Sequence, residues 1–301
     1  MDGTLREIGP YRIVSEMAEP LPSRLENYVC IGGVEMPLDG LLRLDISDND
    51  LRNALRDQFS NAKPFEHLVI DGLFDERLLE LIVQEFEIPG ENGWRIVQNE
   101  NQNYRRLVFG APIGPATQLY YDIIHSRRFV EFLCAITGIA DLIPDPTLQR
   151  SGLQESRTGD WFGIHVDFNK HQSTMLDNEI GLITYLNRGW LGAFGGALEL
   201  WDTETKSCAV EVVPELGRTV LLRHGEKSYH GHTKPVNAPD GRPRRGVAAY
   251  YYGYRPEHRD SSHHTTIFYD ATRKKANPLK SVVRYYLRRF ATDLAKYLIR
   301  L

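Results

Sequence analysis

Cysteine is scarce in this chain of 301 residues, which contains three: Cys30, Cys134 and Cys208. They are isolated along the sequence, odd in number, and form no C-x-x-C pair. A zinc site built from thiolates needs such pairs, so this class of site is excluded. The same pattern fits a protein of the reducing cytoplasm.

Long apolar runs and an excess of positive charge are also absent. No run of about 18 apolar residues is present, so we expect no membrane span. Residues 1–16 lack the basic-then-apolar profile of a secretory signal, so we expect a cytoplasmic protein. The formal net charge of −4 and the pI of about 6.2 argue against a general nucleic-acid-binding protein.

What is present is an ordinary globular composition, with 42% hydrophobic and 25% charged residues. Before residue 148 the pattern is mostly helical. Apolar spacing and capping residues predict helices over 47–58, 76–86, 115–124 and 126–137, with a short strand at 67–71. Asp75 is the expected N-cap of the second helix, and Gly138 is expected to stop the fourth. After Pro278 an amphipathic helix with a basic border is expected, either covering its own domain or contacting a membrane surface.

From residue 148 the pattern changes to short β-rich segments separated by turn clusters. Strands are predicted over 158–168, 179–186, 197–201, 209–213, 218–223, 229–234 and 246–254. About seven or eight strands at this spacing predict a sandwich or barrel packed against the earlier helices. The expected fold class is therefore mainly β with supporting helices (α+β).

One triplet, His165-Val166-Asp167, stands out for its chemistry. On a strand, residues i and i+2 point to the same face, so the imidazole and the carboxylate could bind one metal ion. Two histidines and one carboxylate leave adjacent coordination positions open, the arrangement of non-haem Fe(II) oxygenases. His230 and His232 both have the parity to supply the third ligand. An H-x-D triplet alone is a weak signal in a chain with ten histidines.

The surrounding motifs strengthen this reading. The triplet is followed by L-I-T-Y-L-N at 182–187, Trp190, G-G-A-L-E-L at 195–200, P-x-x-G-R at 214–218, S-Y-H-G at 228–231, K-P-V at 234–236 and Arg244 before V-A-A-Y at 247–250. In this order they resemble the Fe(II)- and 2-oxoglutarate-dependent dioxygenases, specifically the prolyl 4-hydroxylase-like branch. The resemblance covers about residues 65–255. It implies a double-stranded β-helix (jelly-roll, cupin-like) core and a catalytic domain over 63–256. Residues 1–62 would then be an N-terminal accessory region, and 257–301 a C-terminal loop and amphipathic helix.

The resemblance also implies roles for individual residues. His165, Asp167 and His230 match the metal ligands, with His230 favoured over His232 by its spacing from Arg218. The aspartate matches oxygenating rather than halogenating relatives. Arg244 matches the residue that binds the distal carboxylate of 2-oxoglutarate, although Arg242 and Arg245 lie too close to be dismissed. Tyr185 matches a position that donates a hydroxyl to the same carboxylate.

The function implied is hydroxylation of an aliphatic C–H bond with Fe(II), 2-oxoglutarate and O₂, releasing succinate and CO₂, with possible ascorbate dependence. A small-molecule, amino-acid or carrier-bound substrate is favoured over a protein. The alternatives are a prolyl hydroxylase acting on a protein or peptide, a non-catalytic ligand-binding barrel, and a zinc hydrolase. The C-terminal helix could also mediate formation of a homodimer.

Several residues close to the triplet in sequence are also candidates for a role at the site. Trp161, Phe168, Asn169 and His171 flank the metal strand and are candidates for a substrate mouth, with ordinary packing as the alternative for Trp161 and Phe168. The run of Arg223, His224 and Lys227 predicts an exposed turn.

Overall fold

The computed structural model describes residues 6–8, 11–14, 27–255 and 262–269. Four α-helices lie in this part of the chain: α1 (Asn49–Asn61), α2 (Glu76–Gln84), α3 (Pro115–Ile124) and α4 (Arg127–Thr137). The strands are β1 (Arg6–Ile8), β2 (Tyr11–Val14), β3 (Tyr28–Ile31), β4 (Val34–Pro37), β5 (His67–Ile70), β6 (Trp94–Asn99), β7 (Gln102–Leu107), β8 (Ile143–Pro144), β9 (Gly152–Ser156), β10 (Trp161–Val166), β11 (Asp177–Tyr185), β12 (Leu198–Asp202), β13 (Ser207–Val212), β14 (Thr219–Arg223), β15 (His230–His232), β16 (Arg244–Gly253) and β17 (Ile267–Phe268). The predicted helix after Pro278 lies outside the described residues.

Thirteen strands form one strongly curled sheet. Its main path is β13-β12-β15-β10-β7-β9-β16-β11-β14-β5, with β17 and β6 pairing β10 and β7, and β8 pairing β16. All of these pairings are antiparallel. The predicted mainly β core with supporting helices is confirmed. The curl encloses a space between β10 and β15 on one side and β11 and β16 on the other.

The helices form where the sequence predicted them, because each has local start and stop signals. Asp75 caps α2 by accepting a hydrogen bond from the Arg77 backbone N–H at 2.8 Å. Ser126 caps α4, and Gly138 ends it in the left-handed conformation at φ 71°. The apolar faces of these helices pack into the main hydrophobic core, where Phe129 is fully buried.

A second sheet of four strands, β1-β2-β3-β4, precedes α1 and was not predicted. Its strands are three or four residues long, too short for a period of two to be recognised in the sequence. Val29, Ile31 and Met36 are nonetheless buried in the same core cluster as the helices. Across the part of the chain that the structure describes, no helix combines the length and apolar character that crossing a bilayer needs.

Candidate metal and co-substrate site

His165 and Asp167 lie together at the end of β10, as the i, i+2 spacing predicts. The His165 Nε2 atom is 3.4 Å from Asp167 Oδ1, and both side chains are at least nine-tenths buried. His165 Nδ1 lies 2.8 Å from the backbone oxygen of Gly163. A proton on Nδ1 that is donated to this carbonyl leaves Nε2 with its lone pair free for a metal ion.

His230 joins this pair through the sheet itself. In the antiparallel pairing of β10 with β15, His165 and His230 are directly opposite, and their ring centroids are 4.5 Å apart. His230 Nδ1 lies 2.8 Å from the Ser228 backbone oxygen, so its Nε2 is also free. One ligand atom from each of His165, Asp167 and His230 lies within 4.8 Å of the others, close enough for a single ion. Among the described residues, His232 is not part of this group.

The protonation of these side chains suits a metal ion. Burial raises the pKa of Asp167, but its interactions with His165, His224 and His230 outweigh this and hold the pKa well below the ordinary value. Burial lowers the pKa of His230 to about 3. At neutral pH the site therefore offers a carboxylate and a neutral imidazole, the forms that bind metal. The Tyr250 hydroxyl also donates to Asp167 Oδ2 at 3.2 Å, which fixes the carboxylate.

Arg244 is buried at the start of β16 and lines the same enclosed space. Its Nε donates to the Gly196 backbone oxygen at 2.6 Å, and one Nη lies 3.3 Å from the Tyr185 hydroxyl. Among the described residues, no carboxylate forms an ion pair with it. Burial lowers its pKa, and a bound carboxylate would offset this. The two polar side chains therefore form a cradle for an anion.

The neighbouring arginines face elsewhere, as strand parity predicts for Arg245. Arg245 donates to Glu155 at 2.9 Å on the other face of the sheet. Arg242 shares the parity of Arg244 but lies before β16, where it donates to the backbone oxygens of Arg188 and Gly189. Of the three arginines, Arg244 is the one that lines the cavity.

The position of Arg244 requires a residue without a side chain at Gly196. Gly196 has φ +66°, and a Cβ there would lie 2.8 Å from Arg244 Cδ and 3.0 Å from Val236 Cγ2. We expect Gly196→Ala to raise the KM for a carboxylate co-substrate held by Arg244 about tenfold with little change in kcat, because the displaced Arg244 costs on the order of 1 kcal/mol of binding. Steady-state kinetics would measure this.

Gly189→Ala is the matched control for that substitution. Gly189 has nearly the same φ, +65°, but a Cβ there meets nothing within 4 Å. Both variants carry the backbone strain of a left-handed residue, so a KM change in both would mean that the strain, rather than the contact with Arg244, is responsible.

His224 is not in an exposed turn, and the sequence prediction for it was wrong. Its side chain is 4% exposed, and its Nε2 lies 3.9 Å from Asp167 Oδ2. It continues the inward face of β14, two residues after Leu222, which also lines the cavity. Strand parity from Leu222 was the signal that could have found it. Arg223 is half-buried and pairs with Glu179, whereas Lys227 is exposed as expected.

Only one of the four residues predicted to form a substrate mouth lines the cavity. Phe168 lines the cavity, but Trp161, Asn169 and His171 do not. Asn169 instead binds the chain at 262–264, donating to the Ser262 oxygen at 2.9 Å and accepting from the His264 backbone N–H at 2.8 Å. His171 accepts backbone N–H groups of its own turn through Nδ1.

The possible metal ligands and Arg244 line one cavity, whose volume is about 520 Å³. His165, Asp167, His230 and Arg244 all line it, together with side chains of the β6–β7 hairpin. A cavity of this size matches the pockets that hold small organic ligands. The three candidate metal ligands and a buried cation therefore line the same cavity.

Comparison with known proteins identifies this part of the chain. Residues 151–253 match the family model of the 2OG-Fe(II) oxygenase superfamily. This segment is a 2OG-Fe(II) oxygenase domain. The match spans all the residues discussed above as possible ligands, and the family implies Fe(II), 2-oxoglutarate and O₂. No curated protein matches the chain.

The chain is similar to several solved structures, the first of which shares its fold. A Pseudomonas putida prolyl-4-hydroxylase is 14% identical, with a TM-score of 0.50 over 68% of this chain and 100% of its own. A Trichoplax adhaerens prolyl hydroxylase solved with a hypoxia-inducible-factor peptide fragment is 15% identical, with a TM-score of 0.49 over 69% and 96%. HygX from Streptomyces hygroscopicus, solved with nickel and 2-oxoglutarate, is 10% identical, with a TM-score of 0.45 over 73% and 98%. The first of these confirms the predicted double-stranded β-helix.

Proposed function

We propose that the oxygenase domain binds Fe(II) through His165, Asp167 and His230, and 2-oxoglutarate through Arg244 and Tyr185. The observation that carries this proposal is the pairing of the two sites in one cavity. Three metal-binding side chains converge within 4.8 Å, and the same cavity holds a buried guanidinium that has no carboxylate partner among the described residues. A small dianion that also chelates metal meets both needs.

Each residue then has a defined task. Arg244 and the Tyr185 hydroxyl would hold the distal carboxylate of 2-oxoglutarate by charge-assisted hydrogen bonds. The Gly163 and Ser228 carbonyls orient His165 and His230, and Tyr250 orients Asp167. The bound iron supplies the redox chemistry that couples O₂ to oxidation of 2-oxoglutarate and of substrate. The protein contributes orientation and a chamber that limits water.

We propose that the reaction is hydroxylation of an aliphatic C–H, with release of succinate and CO₂, and with ascorbate as a supporting reductant. A small-molecule, amino-acid or carrier-bound substrate is favoured, because the cavity has the volume of a small-ligand pocket. Residues 63–256 would form the catalytic domain, with 1–62 and 257–301 as additions to it.

Anaerobic spectroscopy tests the site before any substrate is known. Adding Fe(II) and 2-oxoglutarate to the protein should produce the visible metal-to-ligand charge-transfer band of the chelate. His165→Ala and His230→Ala should each lose it, because two protein ligands hold iron poorly. His232→Asn, which changes the neighbouring cavity histidine, should keep it.

Other outcomes would point to the alternatives. A wild-type protein without the band would contradict the oxygenase proposal and favour a non-catalytic barrel. Loss of the band in His232→Asn but not in His230→Ala would move the third ligand by two residues. Activity that needs metal but no O₂ would favour a hydrolase.

A further inference from the structure

Two arginines stand directly opposite each other on the wall of the cavity. In the β6–β7 hairpin, Arg95 pairs with Arg106, and both line the cavity. The alternation continues along the same face, where Val97 pairs with Tyr104. Like charges in directly opposite positions destabilise a hairpin. An arrangement that costs stability at a cavity wall points to a role there.

The opposite face of the hairpin is built differently. Arg105 points away from the cavity and forms an ion pair with Glu155, whose side chain is 1% exposed. Glu155 also pairs with Arg157 and Arg245, so the arginines on that side share a buried carboxylate. Within residues 27–255 and 262–269, no carboxylate forms an ion pair with Arg95 or Arg106. Among these residues, the arginine on the outer face of the hairpin has a carboxylate partner, and the two on its cavity face do not.

A third arginine extends this cationic wall. The Arg150 guanidinium lies 4.1 Å above the ring of Phe168, and both residues line the cavity. It too has no carboxylate partner among the residues that the structure describes. Tyr104 lines the same cavity as Arg95, Arg106 and Arg150. Burial raises the pKa of its hydroxyl, whereas the charges of these three arginines lower it.

Apolar surface adjoins these cations. Val108 and Phe109 follow β7 and line the cavity, and Phe109 is 64% exposed. Ligand pockets are lined mainly by apolar and aromatic side chains, with a few polar groups that fix the orientation of the ligand. The entrance therefore offers both positive charge and an apolar face.

Resting on the proposed function, we propose that the substrate carries an anionic group, a carboxylate or a phosphate, which Arg95, Arg106 and Arg150 bind. This cationic wall is separate from Arg244, which is assigned to the co-substrate. An apolar part of the same substrate would lie against Phe109. The arginines would then decide which molecules enter, and would take no part in the oxidation itself.

Binding of defined probes tests this without turnover. The protein is loaded with Zn(II) and saturating 2-oxoglutarate, and then titrated with naphthaleneacetate, naphthyl phosphate and the neutral naphthaleneacetamide. We expect at least one anion to bind about 10-fold or more tighter than the amide, with the difference shrinking as NaCl rises. Arg95→Gln/Arg106→Gln should remove most of this difference.

Arg127→Gln is the control, because Arg127 is 91% exposed and pairs with Glu131 on α4. Equal binding of anions and amide, or an anion preference that survives in the double variant, would overturn the proposal. The probes need no iron and no O₂. An anion preference in a protein that lacks the charge-transfer band would therefore support the cationic wall and contradict the oxygenase assignment.

Turnover gives the second readout. Mass spectrometry on matched acid and amide pairs should find oxygenated products from acids, with succinate formed alongside. For such a substrate the double variant should raise KM about 10- to 100-fold and leave kcat within about threefold. Products from neutral compounds alone would overturn the anionic class while leaving the oxygenase function intact.

Discussion

Replacing Asp167 by alanine is expected to abolish succinate formation. Loss of a residue that merely orients a metal ligand typically costs about 10- to 100-fold in affinity or activity, so loss of the ligand itself should cost more. The buried Asp167 also provides the negative charge that lies within 4 Å of His165, His224 and His230. The measurement is succinate release with Fe(II), 2-oxoglutarate and ascorbate, together with metal content.

Two further variants sharpen this result. Tyr250→Phe removes the hydroxyl that donates to Asp167, and should reduce activity by about 10-fold or more without abolishing it. Asp202→Asn changes an aspartate at the end of β12 that lies outside the cavity lining, and should have no effect on succinate formation. If Asp167→Ala kept wild-type iron content and succinate formation, the triad would be assigned wrongly.

Replacing Arg244 by alanine has the second largest expected effect. Removing one partner of a buried charge-assisted pair costs about 2–5 kcal/mol, which corresponds to a rise in the KM for 2-oxoglutarate of roughly 30-fold to several thousandfold. Arg244→Lys should recover part of this, because the charge remains but the bidentate geometry is lost. Kinetics with varied 2-oxoglutarate, and titration of the charge-transfer band, would both report it.

The neighbouring arginine provides the control in the same strand. Arg245→Ala should leave the KM for 2-oxoglutarate nearly unchanged and lower the thermal stability instead. Its guanidinium faces Glu155 and packs over the ring of Phe86 at 4.5 Å. A KM effect in Arg245→Ala and none in Arg244→Ala would place the co-substrate on the opposite face of β16.

Local signals made much of this fold predictable. The helices have caps such as Asp75 and Ser126, and turn clusters bound the later strands. The metal triad was predictable in part, because the i, i+2 spacing of His165 and Asp167 is a property of any strand. Adding His230 to them rested on the family resemblance, because no local pattern encodes the pairing of β10 with β15.

The β6–β7 hairpin escaped prediction for a physical reason. Strand signals assume that the inward face is apolar, but this hairpin faces the cavity and presents Gln102 and Arg106 to it. Its sequence therefore looks like a polar loop. His224 escaped for a related reason, since a polar residue that follows a strand is ordinarily solvated, whereas here it turns back into the cavity.

The opposition of His165 and His230 across β10 and β15 has a mechanical consequence. β15 has three residues, and it holds β12 on one side and β10 on the other. An ion shared by the two histidines would act as a cross-link between neighbouring strands, at the shortest strand on the main path of the sheet. Free energy of metal binding would then become free energy of folding. Removal of the metal would then lower the stability of the oxygenase domain as well as its activity.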